Sequence, residues 1–153
     1  MSVEDRLAAL GLTLPADLSQ PAGAYVPIRL VAGAGSLAAQ VPGPAHRRGS
    51  VGAELTVEEG RAAARSAALN AVARLKQGLE DLDRLLGLLH VAGHVASADG
   101  FLDQPLVLDA ASELLTGVLG SRGRHTRTAF APARLPLDVS IELEITFLYT
   151  DRP

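Results

Sequence analysis

The sequence predicts an α+β domain in which two helices pack on one face of a mixed β-sheet. Two segments and the order of the elements lead there. An alanine-rich run opened by Thr56 and Glu59 carries Val57, Ala64, Ala68, Val72, Leu75 and Leu79 at helical spacing. Near the C-terminus, Val139, Ile141, Leu143, Ile145 and Phe147 alternate with Ser140, Glu142, Glu144 and Thr146, the period of a strand with one buried face. The elements run strand, strand, helix, strand, helix, strand, strand without an internal repeat, which suits one layer of helices on one sheet. Residues 1–153 read as a single domain, with 1–20 as an N-terminal extension holding a short helix.

Ser2, with Asp5 three residues on, caps that first helix, and Gly11 to Pro21 punctuates the chain after it. Tyr25 to Val31 reads as a strand, Gly33 and Gly35 as a hairpin turn, and Ser36 to Val41 as a second strand. Residues 42–52, rich in proline and glycine, are loop. In the long helix, Glu58, Arg61, Arg65 and Arg74 fall on the polar face, and the alanines opposite suit close packing on a sheet. Leu85 to Ser97 is a strand between glycines. Asp103 caps a second helix that runs to about Leu119 and stops at Gly120, and residues 121–124 form a turn. Thr126 to Ala133 and Val139 to Leu148 are the last two strands, joined around Pro136. The sheet face without helices needs a cover, so a homo-oligomer with sites at subunit boundaries is expected.

Composition excludes several functions. With no cysteine there is no thiolate nucleophile, disulfide or cysteine-based zinc site. A net charge of -3 and 3% aromatic residues supply neither a phosphate-binding surface nor a stacking platform, so no nucleic-acid partner is expected. The N-terminus lacks a signal peptide's pattern, and the apolar stretch Leu85 to Ala98 is too short and too interrupted to span a bilayer. The expectation is a cytoplasmic protein with no membrane association.

Two carboxylates and a cation stand out. Arg127 points with Ala129, Ala131 and Ala133, which leave space beside it. If the last two strands form a hairpin, Arg127 shares a face with Glu142 and Glu144. That geometry serves a cross-strand salt bridge as well as a site in which the guanidinium forks a ligand carboxylate and a glutamate handles water. His90 and His94 would lie roughly 13 Å apart on a strand, so no shared metal is expected. His94 lines a cavity or is hydrogen-bonded within the sheet, and His125 reads as a turn residue. The segment GAGS at 33–36 lacks the remaining residues of a dinucleotide fingerprint, a P-loop or a nucleophile elbow.

Three stretches, VGAELTVEEGRAAARSAALNAVARLK, FLDQPLVLDAASELLTGVLG and GRHTRTAFAPARLPLDVSIELEI, resemble in order and spacing the RidA family, also called YjgF or L-PSP endoribonuclease-like proteins. The opening GLTLP and the tyrosine of AYVP resemble one branch of it. The resemblance implies a chorismate-mutase-like fold assembled as a homotrimer with clefts between subunits. It further implies cofactor-independent hydrolysis of reactive imines and enamines of the 2-aminoacrylate type to 2-keto acids and ammonia. Arg127 matches the family's carboxylate-binding arginine and Glu142 its water-positioning glutamate. Tyr25 matches an aromatic cleft residue, and the backbone of Ala39 and Ala129 stands where the family supplies main-chain contacts, with Gln40, His94 and Asp109 as further candidate substrate neighbours. The chain departs from the family in three places. Ala38-Ala39-Gln40 replaces Ser-Gly-Gln, Asp109 stands where asparagine is common, and His125 occupies a position usually held by a small residue or proline. This divergent member can alternatively act on an imine-like biosynthetic intermediate by cyclisation or dehydration, or bind a metabolite without turnover. The endoribonuclease label is the least favoured reading.

Overall fold

The computed structural model describes residues 1–151. Its elements are α1 (Val3–Ala9), β1 (Ile28–Val31), β2 (Ala34–Gln40), α2 (Val57–Leu79), β3 (Leu85–Val95), α3 (Gln104–Leu119), β4 (Thr126–Phe130) and β5 (Ile141–Tyr149). The strands form one mixed sheet in the order β1-β2-β5-β3-β4, with every neighbouring pair antiparallel except β3 and β4. α2 and α3 lie side by side and cover one face. The α+β architecture therefore stands as the sequence predicts.

Local chemistry explains most boundaries. Ser2 with Asp5 and Thr56 with Glu59 both close reciprocal capping boxes, satisfying backbone N–H groups that the first helical turns leave orphaned. Asp103 precedes α3 but makes no side-chain cap bond. The first strand begins at Ile28 rather than Tyr25 because Pro27 has no N–H to give the ladder, although its carbonyl accepts from Ala38 N at 3.0 Å. The tight turn before β2 is Ala32–Gly33, both at positive φ. Gly35 lies inside β2 instead, where a Cβ would sit 2.2 Å from the Phe147 ring. β4 ends at Phe130, short of the expected Ala133.

The core forms between the helices and the central strand β5. Ile141, Leu143, Ile145 and Phe147 are fully buried on its inner face, each worth about 1.5–3 kcal/mol. Ala64, Ala67, Ala68 and Ala71 of α2 are also fully buried. Their small side chains let the helix approach both the sheet and α3.

Arg74 departs from its predicted polar face: it is buried, held by Gln77 and by the carbonyl of Ser19. The N-terminal segment folds over the end of α2, which a helical wheel cannot anticipate. The other sheet face carries no helix, and Val31, Phe130 and Leu148 remain about half exposed there.

Candidate functional site

The last two strands do not form the expected hairpin. β3 lies between β4 and β5, and its Val91 is paired with both Arg127 and Ile145. Arg127 therefore shares the inner, helix-covered face with Ile145, whereas Glu142 and Glu144 occupy the open face. Three residues along and two strands across separate Arg127 from Glu142, about 14 Å before the sheet's thickness is added. The expectation that they share one face of one subunit is overturned. The physical reason is topological: the chain crosses over through α3 between β3 and β4, which makes that pair parallel, and β5 pairs with the other side of β3, which leaves β4 at the sheet edge.

Glu142 is half-buried on the wall of a cavity of about 410 Å³ lined by Tyr25, Ala38, Ala39, Gln40, Arg74 and Pro136, among others. Burial raises its proton affinity above the ordinary carboxylate, neighbouring Glu144 adds to the effect, and His94 opposes it. The cavity owes its shape to a β-bulge. Register steps from Leu37↔Ile145 to Gln40↔Leu143, so β2 spends one residue more than β5 across Ala38 and Ala39. Two methyl groups at the bulge leave the space empty. Gln40 is buried, and its side-chain amide donates to Ala38 O at 2.8 Å, bracing the bulge from within. Tyr25 stands at the cavity with its hydroxyl accepting from Ala22 N at 3.2 Å.

His94 lies across from Glu142 on the open face, where its Nε2 meets Glu144 Oε2 at 2.7 Å and its ring stacks on Phe130 with centroids 4.8 Å apart. It is hydrogen-bonded in the sheet and is not among the cavity's lining residues. His90 has both ring nitrogens engaged, by Thr126 and Thr128. Among the described residues no cluster of three histidine or carboxylate side chains could hold a metal ion.

The second group of candidates gathers on the edge strand. Arg127 Nη1 donates to Asp109 Oδ1 at 3.0 Å and to Ser112 Oγ at 3.1 Å, and Nη2 donates to Pro105 O at 3.3 Å. Asp109 thus neutralises the arginine. Behind them, His125 Nδ1 lies 2.6 Å from Gly123 O, so this nitrogen must carry the proton. Its Nε2 then accepts from Ser112 Oγ at 2.9 Å when the ring is neutral, and burial favours that neutral form. A directed chain results, from Arg127 through Ser112 and His125 to a carbonyl. Ala129 lies on the same edge strand, opposite Gly93, where Leu108 leaves no room for a Cβ on β3.

The fold thus brings Tyr25, Ala39, Gln40 and Glu142 together and gathers Arg127, Asp109 and Ala129 elsewhere. Sequence reading missed Arg74 at the cavity and the Ser112–His125 support of Arg127. Ser112 falls one helical turn after Asp109, a spacing that could have signalled the latter.

The family model described as "YjgF/chorismate mutase-like, putative endoribonuclease" matches residues 4–151. The chain belongs to this family. Within the YjgF-like proteins, a "putative endoribonuclease" from Shewanella oneidensis is 32% identical, with a TM-score of 0.91 over 97% of this chain and 99% of that one. The protein Atu1372 of unknown function from Agrobacterium tumefaciens is 33% identical, with a TM-score of 0.85 over 96% and 91% of the two chains. Protein TCP17 of Trypanosoma cruzi is 40% identical over 97 residues, which span 63% of this chain and 61% of TCP17. The RidA/YjgF resemblance read from the sequence is thereby borne out, and with it the chorismate-mutase-like fold. No helix among the described residues is long and apolar enough to cross a membrane.

Proposed function

We propose that the protein is a cofactor-independent imine and enamine deaminase of the RidA type that works as a homotrimer. The observation that carries this reading is Glu142, a half-buried carboxylate of raised proton affinity on the wall of a cavity beside Tyr25 and the Ala38–Ala39 bulge. Arg127 lies on the far face of the same subunit, so the site is completed by Arg127 of a neighbouring subunit docked against the open sheet face. The half-exposed Val31, Phe130 and Leu148 on that face supply apolar surface for such docking.

The chemistry follows from the residue types. The guanidinium holds the substrate carboxylate, presenting the imine carbon to the cavity. Glu142 takes a proton from water as the water oxygen bonds to that carbon and passes it to the nitrogen; it then carries the remaining hydroxyl proton to the nitrogen as the C–N bond breaks and the C=O bond forms. A 2-imino acid and water give a 2-keto acid and ammonia. A carboxylate whose burial raises its proton affinity suits both halves, because it can hold the proton between them. Asp109 and the Ser112–His125 chain keep the arginine in one rotamer.

The test is ammonia release from 2-iminopropionate generated enzymatically in situ. The expected outcome is a rate proportional to protein concentration, and a rate equal to spontaneous hydrolysis at several protein concentrations defeats the assignment. Asp109 draws on the charge of Arg127 and so weakens the carboxylate clamp that catalysis needs, which favours a second reading, a trimer that binds metabolites without turnover. Keto-acid binding without ammonia release would select it.

A further inference from the structure

Arg74 is 3% exposed, yet it lines the same cavity as Glu142. Its Nη1 donates to Gln77 Oε1 at 2.7 Å and its Nη2 to Ser19 O at 2.6 Å, both neutral acceptors, and its Nε has no hydrogen-bond partner. Among the described residues it forms no salt bridge, in contrast to Arg127, which has Asp109. A guanidinium withdrawn from water without a counter-charge is costly, and burial alone depresses its proton affinity. Its neighbours on α2, Ala71 and Leu75, are fully buried and apolar, so packing by itself calls for a hydrocarbon at this position. The cation is instead braced by Ser19, whose segment, with Gln20, Pro21 and Ala22, forms a wall of the cavity. Glu142 lines that cavity too, without an ion pair between the two, so an occupant has both charges to satisfy separately.

We propose that Arg74 binds a second acidic group of the ligand, and that the substrates are therefore 2-imino dicarboxylates, with the matching 2-keto dicarboxylates as products. The inference rests on the deaminase reading for one point, the assignment of the 2-carboxylate to Arg127; the distal carboxylate then falls to Arg74. The cavity volume of about 410 Å³ lies within the range of small-molecule sites. Arg74 selects for the distal acid and takes no part in the proton transfers.

The experiment is calorimetric titration of the full chain with pyruvate and with 2-oxoglutarate, with ammonia release measured in parallel on the imines of both. Wild-type protein is expected to bind 2-oxoglutarate at least tenfold more tightly than pyruvate. Arg74→Gln should abolish that preference by lowering 2-oxoglutarate affinity at least tenfold more than pyruvate affinity, and Arg74→Lys should retain part of it. Equal affinity of the wild type for the two acids, failure to bind either, or a preference that survives in Arg74→Gln overturns the proposal. A preference unchanged by Arg74→Gln together with a smaller particle in light scattering would place a neighbouring subunit's carboxylate, not a ligand, against Arg74. If Arg74→Gln does not fold, the wild-type comparison and Arg74→Lys still decide. The two readings separate cleanly: preference without ammonia release keeps the dicarboxylate site and defeats the deaminase, and ammonia release without preference does the reverse.

Discussion

Arg127 and Arg74 are both arginines beside candidate ligand space, and their surroundings are opposite. Arg127, on the edge strand, donates to Asp109, Ser112 and Pro105, and the chain behind Ser112 ends at a carbonyl. Arg74, at the cavity, is more deeply buried and has two neutral acceptors and an idle Nε. The difference separates a cation ordered in advance from one whose charge is left for something else to neutralise. The same contrast divides the carboxylates: Asp109 is paired, whereas burial makes Glu142 harder to ionise. Satisfied charges position, and an unsatisfied buried one calls for an explanation, which the proposed dicarboxylate ligand supplies for Arg74.

The largest effect expected from breaking this contrast is on turnover. Glu142→Gln cannot accept a proton and should lower kcat by roughly 10²–10⁴-fold in the ammonia-release assay with keto-acid binding retained. A loss under threefold would remove Glu142 from the proton-transfer role. Asp109→Asn keeps an oxygen facing Arg127 and removes the counter-charge, so keto-acid affinity should rise by about threefold to tenfold, or roughly 1 kcal/mol. Unchanged affinity in titration would mean that Asp109 does not draw on the arginine's charge.

Smaller effects sharpen the positioning side. Ser112→Ala removes the acceptor for Arg127 and the donor to His125, and should cost about 0.5–1.5 kcal/mol in denaturant unfolding. It should raise KM more than it lowers kcat, since it loosens a cation that only binds. The smallest effect is pH-linked. Between the ordinary carboxylate value of 4.5 and the raised value in the fold, the native state holds more proton at Glu142 than the unfolded chain does. Stability contributed by this residue therefore falls as pH rises through that interval, and the full penalty is present above it. Glu142→Gln should accordingly be more stable than wild type at pH 7 and lose that advantage as pH falls towards 4.5. An advantage that is constant with pH would show that Glu142 is not desolvated.

Much of the architecture was legible because its signals are local. The alternation of 139–148 marks β5, the capping box at Thr56 and Glu59 opens α2, and Gly120 ends α3 at positive φ. The candidate site pair, Arg127 and Glu142, was legible as residue types in a block that resembles the family. Their arrangement was not. Pairing order is a long-range property, and the short connection through Pro136 suggested a hairpin where β3 in fact intervenes. The bulge at Ala38–Ala39 was equally hidden, since two alanines carry no signal of broken register.

The element inventory, the inner face of β5 and the family were readable from the chain alone, because periodicity, capping and motif blocks are written in neighbouring residues. Only the tertiary structure decided that Arg127 and Glu142 lie on opposite faces, that Asp109 neutralises one of them, and that Arg74 is buried at the other's cavity. Those outcomes depend on which distant segment covers a given side chain. For Arg74 that segment is the stretch around Ser19, 55 residues away, and no helical period can report it.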